Sequence, residues 1–147
     1  MIRALALLPL LLALTACGGG SPAPTTAASG TTTQAPAAKK SLHVVVSAES
    51  HHPKLGHTWT YEVHVTDAAT GKPVPAHVHL QFVFAGTPVG EVGRHIVQDG
   101  VWKETIPAKG KDAFPPAAVG PKLTLRATAT SAGYRPATGS WKLQVVK

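Results

Sequence analysis

The chain has 147 residues, with 14 lysines and arginines against 7 aspartates and glutamates, a formal charge of +7 with its 8 histidines neutral. Its single cysteine excludes an internal disulfide, and its scattered carboxylates form no recognisable acid and base pair. A positive balance of this kind bears on association with anions and not on fold.

The chain opens with Met1-Ile2-Arg3, continues through an apolar run from Ala4 to Leu14 and passes into small residues, the order of a secretory signal. Eleven residues cannot span a bilayer as a helix, which needs about 20, so this segment serves export and not permanent anchorage. The next stretch, Leu14-Thr15-Ala16-Cys17, resembles a bacterial lipobox. That resemblance implies a signal peptide over 1–16, cut before Cys17, and a thioether-linked diacylglycerol on the cysteine, often with acylation of the new amino terminus. Two or three acyl chains, at about 0.8 kcal/mol per buried methylene, hold a protein at a membrane where one does not. The other reading is an ordinary signal ending near an Ala-x-Ala-like site, with Cys17 removed or left as a free thiol.

Residues 17–40 form the next unit. Gly18 to Ala38 carries no charge and is almost entirely Gly, Ser, Pro, Ala and Thr, too little apolar surface to offset the entropy of ordering, so a flexible tether is expected. As a coil it reaches about 25–30 Å. Loss of Arg3 with the signal leaves 13 basic against 7 acidic residues, a charge of +6, and no methionine. With Cys17 acylated, a blue-copper centre and a thioether copper(I) site are both excluded.

Residues 41–147 are enough for one domain and not two. Here the dominant period is two: Leu42, Val44 and Val46; Trp59, Tyr61, Val63 and Val65; Val78, Leu80, Phe82 and Phe84; Leu123, Leu125, Ala127 and Ala129; Trp141, Leu143 and Val145, each alternating with mostly polar neighbours. Shorter strands are expected over Gly93–Gln98 and Val101–Ile106, with Asp99-Gly100 as a two-residue hairpin turn. About seven strands, Gly- and Pro-rich turns and no amphipathic helix make an all-β, two-sheet antiparallel β-sandwich the economical fold. The stretch from Val65 to Val78, VTDAATGKPVPAHV, resembles the strand, D-x-x-G-K-P-V turn and strand of bacterial immunoglobulin-like domains, among them YtkA-like and carboxypeptidase-regulatory-like modules. The resemblance implies a single immunoglobulin-like sandwich and supports fold more than function. The chain lacks the cysteine pair of antibody domains and carries Trp59 on its second strand.

The histidines invite a metal reading. His51, His52 and His57 share the loop SHHPKLGHTW, while His43 and His95 stand alone. His77 and His79 are placed on one strand face about 6.5–7 Å apart, within reach of one Zn²⁺. A hairpin over 66–76 would add His64. In an immunoglobulin-like sandwich that connection instead changes sheets, leaving His64 across the core. No acidic neighbour is apparent to orient His77 or His79, and Arg126 and Lys122 are expected beside them. Ordinary solvated or hydrogen-bonded histidines are the other reading, and several imidazoles together would raise the positive charge below about pH 6.5.

No nucleophile elbow or phosphate loop is present, so catalysis is not expected. Trp59, Tyr61, Phe82, Phe84 and Trp141 fall on apolar strand faces and are expected in the core. Trp102, on a short strand near an edge, and Tyr134 and Arg135, in the loop 131–139, are candidate binding residues. The whole reads as an exported, membrane-anchored extracytoplasmic lipoprotein with a non-catalytic module for binding or structural support. Its partners are membrane lipid through Cys17 and an anionic envelope polymer or another envelope protein, with no nucleic acid and no cofactor. Histidine-based handling of zinc or copper is the alternative.

Overall fold

The computed structural model describes residues 38–147. Cys17, the signal 1–16 and the linker up to residue 37 lie outside the described residues.

Eight strands follow in order: β1 Lys40–Ala48, β2 Trp59–Asp67, β3 Ala76–Phe84, β4 Thr87–Val97, β5 Val101–Ile106, β6 Lys122–Thr130, β7 Tyr134–Arg135 and β8 Ala137–Gln144. A 3₁₀ turn, Pro116–Ala118, is the one helical piece among the described residues. The strands form two four-stranded sheets, ordered β5-β2-β1-β7 and β4-β3-β6-β8. All pairings are antiparallel except β1 with β7, where Lys40 and Ser41 lie opposite Tyr134 and Arg135. The fold is thus an all-β sandwich, with the short β7 as the strand that the period-two pattern does not show.

The alternation works as expected where both sheets are regular. Val63 and Val65 from one sheet and Val78, Leu80 and Leu125 from the other are wholly buried, with Trp59 and Tyr61 each 1% exposed. Among the described residues these belong to one continuous core running from Leu42 to Val145, so this unit carries the apolar burial a sandwich needs to fold. Along one side the sheets meet closely. Gly139 of β8 lies over β1, where a Cβ would stand 2.5 Å from the Val44 carbonyl oxygen.

The Asp67-to-Val74 turn is built by its first residue. The Asp67 carboxylate accepts the amides of Ala69 (2.9 Å) and Thr70 (3.0 Å), its carbonyl accepts the Gly71 amide at 2.8 Å, and its own amide donates to the Lys72 carbonyl at 2.9 Å. The chain then passes from β2 to β3 in the other sheet.

Two expectations need correction. Asp99-Gly100 is not a hairpin turn: β4 pairs with β3 and β5 with β2, so the chain changes sheets there. Gly100 (φ 71°) is needed for close approach, its carbonyl accepting the Val65 amide at 2.7 Å and its Cα facing Pro73, where a Cβ would come within 2.8 Å of the proline ring. The two-residue hairpin is instead Ala85-Gly86, between β3 and β4, with φ of 48° and 87°, both positive as a type I′ turn requires. Finally, not all the expected aromatics are core. Register shifts after Leu80 and Phe82 change which side chains point inward, so Val83 is buried, Phe82 is half-buried and Phe84 is 46% exposed. Trp141 is half-buried as well.

Candidate functional site

The edge strands β4 and β5, one from each sheet, bound a cleft of about 690 Å³. One wall is the end of β3 and the first half of β4, with Phe82, Phe84, Val89, Glu91 and Val92; the other is the end of β5, with Glu104, Thr105 and Ile106. The connection from Pro107 to Pro121 closes it, contributing Lys111, Asp112 and Phe114 together with several alanines and prolines. Phe114 holds that connection in place. It is buried, and its ring lies 5.6 Å from Phe82 and 5.8 Å from Trp59, tilted distances typical of aromatic pairs.

A polar cluster sits at the inner edge of the cleft. Glu104 is registered opposite Tyr61, and its carboxylate accepts the Tyr61 hydroxyl at 2.5 Å and the Trp102 indole N–H at 3.2 Å. His95, on β4, stacks on Trp102 with ring centroids 4.2 Å apart, and its Nε2 stands 3.5 Å from the same carboxylate, within ion-pair range when the ring is protonated. Burial, reinforced by the adjacent Glu104, pushes the Tyr61 hydroxyl far above the usual phenol range. Tyr61 therefore stays protonated and acts as a fixed donor. Glu91 is held below the usual carboxylate range, first by the Gln81 amide at 3.1 Å and further by His79, whose Nε2 donates at 2.5 Å.

The residues singled out from sequence are distributed as follows. Trp102 lies half-buried in this cluster, its indole engaged by Glu104 and His95. Tyr134 and Arg135 form β7 at the opposite end of the sandwich; the Tyr134 hydroxyl donates to Asp67 at 3.0 Å, and the Lys40 ammonium stands 5.8 Å from its ring. His77 is exposed, between Ile96 and Thr130 in register. His79 does have an acidic neighbour, Glu91, contrary to the expectation from sequence. Arg126 lies opposite Gln81 and donates to it at 3.1 Å, while Arg94 is the basic residue registered opposite His79. His64 is in the other sheet from His77, as the crossing connection requires.

In the β1–β2 loop, His51 stacks flat on Trp141 with centroids 3.9 Å apart and donates from Nδ1 to the Lys142 carbonyl at 2.6 Å. His52 and His57 are exposed. Among the described residues no three His, Cys, Asp or Glu side chains come together as a group that could hold a metal ion. His51 and His52 instead border a second, shallower recess of about 350 Å³ with Lys122, Thr124 and Lys142.

The cleft and its cluster were not apparent from sequence. Glu91, Glu104 and Asp112 lie on three different segments, and the signal that could have placed His95 inside is its parity with Val97, which is buried.

No protein-family model matches the chain, and no curated protein matches it. Among solved structures it is similar to the CARDB domain of the PF1109 protein from Pyrococcus furiosus, solved in complex with di-metal ions (TM-score 0.48, 16% identity, 74% of this chain and 94% of that one). It is also similar to Spo0M, a sporulation control protein from Bacillus subtilis (TM-score 0.44, 16% identity, 73% and 50%). A third is a domain of the outer membrane lipoprotein Omp28 from Porphyromonas gingivalis (TM-score 0.44, 11% identity, 75% and 100%). At these levels no residue role passes from any of them to this chain.

Proposed function

We propose that this protein is a lipid-anchored module of the cell envelope, held on the extracytoplasmic side through an acylated Cys17, which binds a partner through the cleft and performs no catalysis. The observation that carries this reading is the position of the cleft. The chain leads from the linker into β1 at Lys40, whereas the cleft lies among the far ends of β3 and β5 and the start of β4. A nine-residue strand separates the two ends by about 30 Å. A tether at one end would thus leave the cleft free at the other. Apolar walls with a few fixed polar groups are the usual make-up of a binding site.

The test is binding of a neutral apolar fluorophore, N-phenyl-1-naphthylamine, to residues 38–147. Saturable one-site binding that is lost in the Phe84→Ser/Val89→Ser variant is expected. Binding that does not saturate, or that survives this change, would reject the cleft as the site.

A second contact is favoured by the recess around His51, His52, Lys122 and Lys142, all cationic when the rings are protonated. It suits an anionic envelope polymer, with retention falling as salt screens charges beyond about 8–10 Å. Salt-independent retention would contradict it.

A further inference from the structure

The charge of the cleft runs against that of the protein. The chain has only 7 carboxylates in a formal balance of +7, yet Glu91, Glu104 and Asp112 all line this one cleft, and Lys111 is the only lysine or arginine among its lining residues. One of the three carboxylates is held in place at the cleft. Glu104 is fixed by two neutral donors, the Tyr61 hydroxyl and the Trp102 indole, which orient the carboxylate without cancelling its charge, and His95 Nε2 stands 3.5 Å from it. Glu91 is held by Gln81 and His79, which alternate with the buried Leu80 and do not line the cleft, so its carboxylate is turned to the outer face of the sheet. The rest of the lining includes apolar and aromatic surface, Phe82, Phe84, Val89, Ile106 and Phe114, in a volume of about 690 Å³ that falls within the usual range for small-molecule sites, about 300–1,000 Å³.

We infer that the cleft binds a small cationic amphiphile: an aromatic or branched aliphatic body seated on the phenylalanine and valine walls, with one ammonium group directed to Glu104. This rests on the reading of the cleft as the binding site and adds the class of ligand to it. An anionic amphiphile meets the fixed Glu104 carboxylate in a partly desolvated recess and is rejected. A neutral one gains the apolar contact alone. The ammonium gains an opposite charge whose neutral partners are already oriented, so little reordering is required on binding.

The experiment compares three probes with one body and different heads, 5-phenylpentylamine, 5-phenylpentanol and 5-phenylpentanoate, titrated into ¹⁵N-labelled residues 38–147 at pH 7. The Trp102 indole N–H, which donates to Glu104, is the reporter. The amine is expected to bind at least ten-fold more tightly than the alcohol, and the carboxylate most weakly. Asp112→Asn, a change at an exposed position that leaves the Tyr61–Glu104 contact intact, should bring the amine towards the alcohol; Glu104→Gln should do so more strongly. Equal affinity for amine and alcohol, or an amine affinity unmoved by these variants, would overturn the ligand class while leaving an apolar site. Absence of saturable binding by all three probes would overturn the cleft as a binding site as well.

Discussion

Tyr61 and Glu104 face each other across the β2–β5 pair, with the phenol donating to the carboxylate at 2.5 Å. Tyr61 is buried, so its hydroxyl has no water to fall back on, and the bond fixes the acid at the cleft edge. Tyr61→Phe should lower unfolding free energy by about 1.5–3 kcal/mol, the range for a bond to a charged acceptor, with the denaturant slope unchanged. It should also move the Trp102 indole N–H resonance, since Glu104 would retain that donor alone. An unchanged midpoint and resonance would show that the bond is not made.

The close meeting of β8 and β1 rests on a missing side chain. A Cβ at Gly139 would stand 2.5 Å from Val44 O and 2.9 Å from Val44 C, both backbone atoms that cannot swing aside. Gly139→Ala should cost about 1–3 kcal/mol through overpacking. Gly90→Ala, whose Cβ meets only the Phe82 side chain at 3.6 Å, should be neutral to slightly stabilising. Similar urea midpoints for the two variants would contradict this packing.

Asp67 gives the fold an acid-sensitive turn. Its carboxyl is held below the usual range by the Ala69 and Thr70 amides first and the Tyr134 hydroxyl next. A depressed folded value contributes stability that is present above the unfolded value, about 3.9, and is lost as pH falls through the folded one. Asp67→Asn keeps an oxygen for the turn amides but does not titrate. The melting temperature of the wild type should therefore fall more steeply than that of the variant between about pH 4 and pH 2. Glu62 and Glu91 are also held low and leave the variant some slope. Parallel profiles would remove Asp67 from the account.

His51 covers Trp141. The flat stack at 3.9 Å, locked by the Nδ1 bond to the Lys142 carbonyl, closes a core position that β8 leaves half-buried. His51→Ala should cost about 0.5–1.5 kcal/mol and shift tryptophan emission to longer wavelength as the Trp141 indole becomes hydrated. Unchanged emission would mean that the loop does not cover the ring.

The two sheets were legible because β1, β2 and β6 alternate without interruption, and the burial of Val44, Val63, Val65, Leu125 and Ala127 follows that alternation residue by residue. Legibility failed where backbone irregularity changes parity. The register shifts in β3 expose Phe84 and obscure the first half of β4, and Ile96, 66% exposed, misdirects attention from its neighbour His95, which lies inward. Asp99-Gly100 shows the limit of turn chemistry: a positive φ at Gly100 serves a crossing between sheets as well as it serves a hairpin. The cleft itself depends on which edge strands face each other. Glu91 and Glu104 meet one cavity only because β4 pairs with β3 and β5 with β2, a relationship that no local spacing encodes.

Mass spectrometry of the amino-terminal peptide, released from protein purified from the membrane fraction, bears most directly on an envelope-held module. The account predicts a mature chain beginning at Cys17 and carrying the added mass of a thioether-linked diacylglycerol. An unmodified Cys17, or a mature chain that begins beyond it, would contradict the account.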